Sequence, residues 1–182
     1  MGWADDVVMR IEAVRGDITT EQVDAIVNAA NSALLGGGGV DGAIHAAAGP
    51  ALLEECQELR RSTLPEGLAV GDAVVTGAGN LPCRWVVHTV GPNRHAGQRD
   101  PAQLASCFAR SLAVARAVGA RSVAFPAVSA GVYGWDVEEV ARVAVRTVRA
   151  ECAAHDGIDL VRFVLFNGPS LAAFDAALAE QS

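Results

Sequence analysis

The sequence predicts an α/β fold, a sheet covered by helices on both faces. Three observations predict it. Short β-branched runs alternate with longer stretches of helical spacing. The runs are continuously apolar, as in strands buried on both faces, and do not alternate with polar residues. The longer stretches carry helix start and stop signals. Such alternation implies a layered sheet with helices on either side.

Taken in order, Val7–Val14 reads as the first strand and Ala25–Ala29 as a short, apolar second. Asp41–Ala48 and Pro50–Arg61 read as two helical pieces broken at Gly49-Pro50. Ala73–Thr76 and Trp85–Val90 are the next two strands. Asp100-Pro101-Ala102-Gln103 has the form of an N-cap, a first-turn proline and a capping-box Gln. Leu104, Phe108, Leu112 and Ala115 follow at helical spacing, and Gly119 stands where a helix C-terminus wants glycine. Ser122–Val128 is the fifth strand. Asp136-Val137-Glu138-Glu139 opens a further helix in the same manner, with Val140, Ala144 and Val148 on one face. Leu160–Phe166 is the sixth strand, and Ser170 is positioned to cap a last helix carrying Leu171, Phe174 and Leu178. No linker, repeat or low-complexity stretch interrupts the pattern, so residues 1–182 are expected to form one domain.

Composition bounds the function. Half of the chain (51%) is hydrophobic and 19% is charged, which argues against disorder. The net charge is −7, and no run of basic residues could track a nucleic-acid backbone, so no nucleic-acid partner is expected. Phosphate ligands stay open, because backbone N–H groups hold them without side-chain charge. No run of 18 apolar residues occurs, so no membrane span is expected. Met1–Glu12 lacks the basic-then-apolar pattern of a secretory signal. Cys56, Cys83, Cys107 and Cys152 form no C-x-x-C pair, so zinc on paired cysteines is not expected. The expectation is a cytoplasmic protein with reduced thiols.

The most informative stretch runs from Asn28 to His45. It holds Asn28, Asn31, the four glycines Gly36–Gly39, Val40, Asp41 and His45. It follows a strand and leads into a helix, where open α/β sheets bind ligands. The glycines let backbone approach a ligand and present N–H groups to phosphate oxygens. A loop that merely turns the chain needs one or two glycines. Gly37-x-Gly39-x-x-Gly42 matches a dinucleotide fingerprint as a pattern, but it lies in the second strand–helix unit. The acid expected about 20 residues on falls within a helix. A Walker loop needs lysine, and the chain has none.

Asp41 and His45, four apart, share a helix face. Asp41 reads either as an N-terminal cap or as a carboxylate that holds a ribose hydroxyl or a water. His45 reads as a buried, hydrogen-bonded histidine supporting that face. Asn28 and Asn31 serve equally as turn-formers or as ribose ligands. A second strand–helix loop, Ser129-Ala130-Gly131-Val132-Tyr133, offers more backbone donors. Two such loops could clamp a diphosphate, with Tyr133 either on a sugar or anchoring the loop.

At this point the chain resembles the macrodomain family, and its MacroD-type branch in particular. The residues that carry the resemblance are Gly16-Asp17-Ile18-Thr19, Val23–Asn31, Gly36–His45 with Ala47-Ala48-Gly49-Pro50, Thr76-Gly77 with Leu81-Pro82, His88-Thr89-Val90-Gly91-Pro92, and Ser129–Trp135. The resemblance implies a three-layer α/β/α sandwich around a mixed central sheet, with ADP-ribose across the strand ends. It implies that Asp17 accepts the adenine amino group and that Ile18 packs beside the ring. Gly37, Gly38, Gly39 and Val40, with Ser129, Ala130, Gly131, Val132 and Tyr133, would wrap the diphosphate. Asn31 and Asp41 would face the distal ribose, and Phe166 and Asn167 would neighbour the adenine. Asn31, Asp41 and His45 form the implied catalytic set.

The implied activity is hydrolysis of the ester between ADP-ribose and an acidic protein side chain, and deacetylation of O-acetyl-ADP-ribose. No cofactor or metal is implied: the extra Cys and His ligands of zinc-dependent members are missing beside the glycine loop. The lysine-nucleophile mechanism of another branch is excluded for want of any lysine. Two other readings are a non-catalytic ADP-ribose reader and, on the glycine pattern alone, a nicotinamide oxidoreductase.

Overall fold

The computed structural model describes residues 8–180. In chain order the elements are β1 (Arg10–Arg15), β2 (Ala25–Ala30), α1 (Gly39–Ala48), α2 (Pro50–Arg61), β3 (Ala73–Gly77), β4 (Trp85–Val90), α3 (Pro101–Ala117), β5 (Ser122–Phe125), α4 (Val137–Ala154), β6 (Leu160–Leu165) and α5 (Gly168–Ala179). One six-stranded sheet has the order β1-β6-β5-β2-β4-β3. Five strands run parallel, and β3 alone runs antiparallel to its neighbour β4. The sheet is therefore mixed, as the resemblance implies.

Each face of the sheet has its own core. Ala25 and Val27 of β2 point to one face with Phe108, Phe125, Phe163 and Phe174, under α3, α4 and α5. Ile26 and Ala30 point to the other, with Ile44, Leu52 and Cys56 under α1 and α2. This period of two along a strand whose six residues are almost all buried is what a three-layer sandwich requires. No helix among the described residues is long and apolar enough to cross a membrane.

All six expected strands form; Trp85–Val90 keeps its expected bounds and the other five differ at their ends. β5 stops at Phe125 and not at Val128, because Pro126 has no N–H for the ladder. β1 starts at Arg10; the earlier expected residue Val7 lies outside the described residues. α3 ends as read: Gly119 has φ +87°, its N–H reaches the Arg116 carbonyl at 3.0 Å, and the Ala120 N–H reaches Ala115 at 3.0 Å.

Two caps differ from expectation. Asn167, not Ser170, caps α5: its side-chain oxygen accepts from the Ser170 N–H at 2.8 Å. Asp136 stands at the start of α4, yet its side chain makes no capping bond.

The topology creates the site. β2 sends its chain to α1 and α2 on one face, while its neighbour β5 sends its chain to α4 on the other. Adjacent parallel strands whose connections leave on opposite faces open a crevice at their carboxyl ends. Both glycine-containing loops start there.

Candidate functional site

Four carboxyl ends lie side by side along one sheet edge. β1 leads into Asp17 and Ile18, β6 into Phe166 and Asn167, β5 into Ser129–Tyr133, and β2 into Asn31–Asp41. The sheet thus brings together every segment that the sequence marks. From β1 to β2 is three inter-strand spacings, roughly 14 Å at about 4.8 Å each. An elongated ligand laid along this edge would meet the segments in that order.

At the β1 end, Asp17 is exposed and caps a 3-10 turn, Ile18–Thr20. Its Oδ1 accepts from the Thr19 N–H at 2.9 Å and the Thr19 hydroxyl at 2.7 Å. Oδ2 takes no hydrogen bond from the described residues and is available to a ligand. Ile18, expected beside the adenine, is buried in the α1/α2 core. Phe166 is 77% exposed directly after β6. Asn167 spends its side-chain oxygen on the α5 cap.

The first loop is held by side chains and left open at its tip. Leu34, at φ +61°, is buried in the α1/α2 core and anchors it. The Asn31 amide donates to the Gly36 carbonyl at 3.1 Å. No acceptor among the described residues takes the N–H groups of Gly37, Gly38, Gly39 or Val40. Gly38 caps α1 and Gly39 and Val40 open it, so the dipole of the helix adds to the free donors. Gly42 explains why the stretch matches a dinucleotide fingerprint by pattern. A Cβ there would lie 2.5 Å from the Gly37 carbonyl oxygen, so glycine is needed for loop-on-helix contact.

Asp41 is the centre of this region. It sits in the first turn of α1, past the N-cap Gly38, which overturns the reading of Asp41 as a cap. It is 4% exposed. Its Oδ1 accepts from the Asn28 amide at 2.8 Å and lies 3.4 Å from His45 Nε2. Its Oδ2 has no partner. A Cβ placed on Gly37 would lie 3.1 Å from that Oδ2 and 3.2 Å from the Asn31 amide nitrogen. The absence of that Cβ leaves a small space between a carboxylate oxygen and an amide donor.

The second loop is built differently. Ser129 adopts φ +68°, rare for a non-glycine residue. Its hydroxyl is buried without a partner. Gly91, after β4, is what makes room: a side chain there would collide with the Ser129 hydroxyl. Gly131 and Val132 form an exposed tip, while Tyr133 is half-buried against the α3–α5 core. Tyr133 anchors the loop, and its carbonyl accepts from the Arg94 N–H at 2.8 Å. Arg94 also stacks 4.0 Å over the Trp135 ring and pairs with Glu139 at 2.6 Å.

Buried polar atoms are nearly always paired in folded proteins. Among the described residues the exceptions include Asn28 Oδ1, Asn31 Oδ1, Asp41 Oδ2 and the Ser129 hydroxyl. All four belong to residues of the two loops or the strand beneath them. Such clustering is the mark of a surface that receives a polar ligand.

A family model described as "Macro domain" matches residues 27–144. The chain belongs to the macro domain family. The O-acetyl-ADP-ribose deacetylase of Klebsiella pneumoniae (strain 342) is 51% identical over 171 residues, covering 92% of this chain and 95% of that one. Among solved structures, the Oceanobacillus iheyensis macrodomain with ADP superposes with a TM-score of 0.85 at 41% identity, over 91% of this chain and 88% of that one. The Trypanosoma brucei macrodomain in complex with ADP-ribose gives a TM-score of 0.84 at 38% identity, over 96% of this chain and 72% of that one.

This macrodomain contains site-supporting residues that lie in the quoted motifs but were given no role by them. His88 of β4 lies fully buried beneath Asn28. The motif His88–Pro92 marks its position but not its role; the register Asn28↔His88 across β2 and β4 shows that. Burial, and then the nearby His45, pushes its pKa down to about 3, so it is neutral at physiological pH. Gly91, in the same motif, is the other such residue, and only the fold shows what it clears.

Proposed function

We propose that this macrodomain binds ADP-ribose along the four strand ends and hydrolyses esters of it. The substrates are O-acetyl-ADP-ribose and proteins carrying mono-ADP-ribose on acidic side chains. One observation carries the reading: Asp41 Oδ2, buried and unpartnered, flanks a small space that the Asn31 amide also flanks. A carboxylate whose other oxygen is already fixed by Asn28 is pre-oriented for one task. The deacetylase name of a relative at 51% identity supports the same chemistry.

In this reading the adenine lies against Phe166 with its amino group on Asp17. The free N–H groups of Gly37–Val40 and of Ser129, Val132 and Tyr133 hold the diphosphate. The distal ribose faces Asn31 and Asp41. A water positioned by Asp41 Oδ2 and a diphosphate oxygen attacks the ester carbonyl. The acyl–oxygen bond breaks, the ribose oxygen leaves with a proton, and the products are the free acid and ADP-ribose. His45 steadies Asp41 from the next turn of α1. The four cysteines are free, which suits a reducing compartment, and the proposed setting is the cytoplasm.

The test is to incubate the protein with O-acetyl-ADP-ribose and with protein bearing Glu/Asp-linked ADP-ribose, beside Asp41→Ala. Release by the wild type, lost in the variant while ADP-ribose still binds, is the expected result. Tight ADP-ribose binding with no release from either substrate would make the protein a reader. Binding of NAD(H) in preference to ADP-ribose would return the oxidoreductase reading.

A further inference from the structure

We propose that His88 is a positioning residue: through Asn28 it pins one oxygen of the Asp41 carboxylate and leaves the other to face the ligand. The inference rests on the hydrolase reading for its catalytic consequence, but its structural half stands apart from it. The residues lie on one face of the sheet across three strands: Asn28 on β2, His88 beside it on β4, Thr76 on β3. Their exposures are 0%, 0% and 5%. Water therefore does not satisfy them: their N–H and O–H groups find acceptors within the protein, and among the described residues Asn28 Oδ1 is left unpartnered.

Counting donors and acceptors fixes the direction of the chain. The Thr76 hydroxyl lies 2.9 Å from the Gly77 carbonyl, which can only accept, so Thr76 donates there. Thr76 Oγ1 is then an acceptor toward His88 Nε2 at 2.9 Å, and the imidazole proton sits on Nε2. His88 Nδ1 is left as an acceptor, and the Asn28 amide nitrogen donates to it at 3.1 Å. The second Asn28 hydrogen goes to Asp41 Oδ1 at 2.8 Å. Both hydrogens of Asn28 are consumed, and Asp41 Oδ2 is the oxygen left free.

The alternative orientation is penalised twice. Rotating the Asn28 amide would set its oxygen against the Asp41 carboxylate and against the bare Nδ1, acceptor facing acceptor at both ends. The imidazole thus reads the state of β3 and imposes one amide orientation on β2. Cys56 packs 3.8 Å from Nε2 and completes the enclosure. Its thiol is pushed up to about 11 by burial and by the charges of Asp41 and Glu55, so it contributes no anion.

Two substitutions separate this role from simple packing. In His88→Asn the side-chain oxygen is bonded to Cγ, as Nδ1 is, and keeps the acceptor for Asn28. In His88→Gln the amide lies one atom further out, keeps the Thr76 contact and loses that acceptor. The expected result is a kcat on O-acetyl-ADP-ribose near wild type for His88→Asn. For His88→Gln kcat falls about tenfold or more, with KM and ADP-ribose affinity unchanged. Equal kcat losses in both variants, or a loss in KM alone, would overturn the proposal.

A second readout needs no turnover. Nitrogen-15 NMR of the unliganded wild type should show a neutral His88 with its proton on Nε2. It should also show a slowly exchanging Asn28 side-chain amide, kept in His88→Asn and lost in His88→Gln. A His88 proton on Nδ1, or an Asn28 amide indifferent to both variants, would sink the proposal even if the protein proved to be a reader. Should His88→Gln fail to fold, Thr76→Val removes the group that pins the tautomer. It is expected to lower kcat and loosen the same amide; no change in either would count against the relay.

Discussion

The two faces of the sheet solve different problems. Under α3, α4 and α5 the core is apolar and aromatic. Phe163 packs on Phe174 at 4.8 Å and on Phe125 at 6.0 Å, and Phe108 on Phe125 at 5.2 Å. Under α1 and α2, β2, β4 and β3 turn Asn28, His88 and Thr76 inward, and α1 adds Asp41. One face gains stability from area removed from water, which has no direction. The other holds polar groups whose hydrogen bonds do have direction and are costly when unmade. The difference teaches where chemistry can be placed in a sandwich. Direction comes from the polar face, and the aromatic face holds it still.

The largest expected effect breaks the aromatic face. Phe163→Ala should lower stability by about 3–5 kcal/mol, measured as a fall in the urea midpoint. ADP-ribose affinity per folded molecule should hardly change. A large affinity loss at constant folded fraction would show that the two faces are not separable. Next comes the polar face. Asp41→Ala should cut turnover about a hundredfold or more while moving Tm by under about 4 °C. A collapse in Tm of the size expected for Phe163→Ala would make Asp41 a structural residue.

The two faces were also unequally legible. The aromatic side was readable because hydrophobic period and helix signals are local: Leu104, Phe108, Leu112 and Ala115 stand where helical spacing puts them. Gly36–Gly39, Asp41 and His45 were readable because loop chemistry and i,i+4 spacing are local too. His88 was not, since its role depends on strand register with Asn28, 60 residues away in the chain. The burial of Ile18 beneath α1 was not legible either, because it depends on how α1 packs on the sheet. Ser170 was read as a cap on residue type alone; the chain leaves β6 one turn earlier, and Asn167 reaches the orphan N–H first.

Acid should sharpen the contrast. His88 is neutral in the folded protein to about pH 3, while in the unfolded chain it takes a proton near 6.5. Between those values the unfolded state binds the extra proton. Stability is therefore intact above about pH 6.5 and falls as pH drops toward 3, by up to about 1.4 kcal/mol per unit from this group. His88→Asn removes the group, so its stability should decline less steeply than wild type over that window. Parallel slopes by denaturant titration at several pH values would mean that His88 is not buried neutral.

The smallest effect separates the two loops, and its sign is the informative part. The Ser129 hydroxyl is buried and unpartnered, held there by a backbone at φ +68° and by the missing side chain of Gly91. An unpartnered buried hydroxyl opposes folding. Ser129→Ala should therefore leave stability unchanged or raise it slightly, unlike the usual polar-to-alanine loss. If the hydroxyl is kept for the ligand, the same change should weaken ADP-ribose binding by about 0.5–1.5 kcal/mol, up to roughly tenfold in Kd. Calorimetry and thermal melts on one preparation would read both. Stability lost with affinity kept would assign Ser129 to the scaffold. The second loop would then act through its backbone alone, and ligand contacts by orphaned side chains would be confined to the α1 side of the crevice.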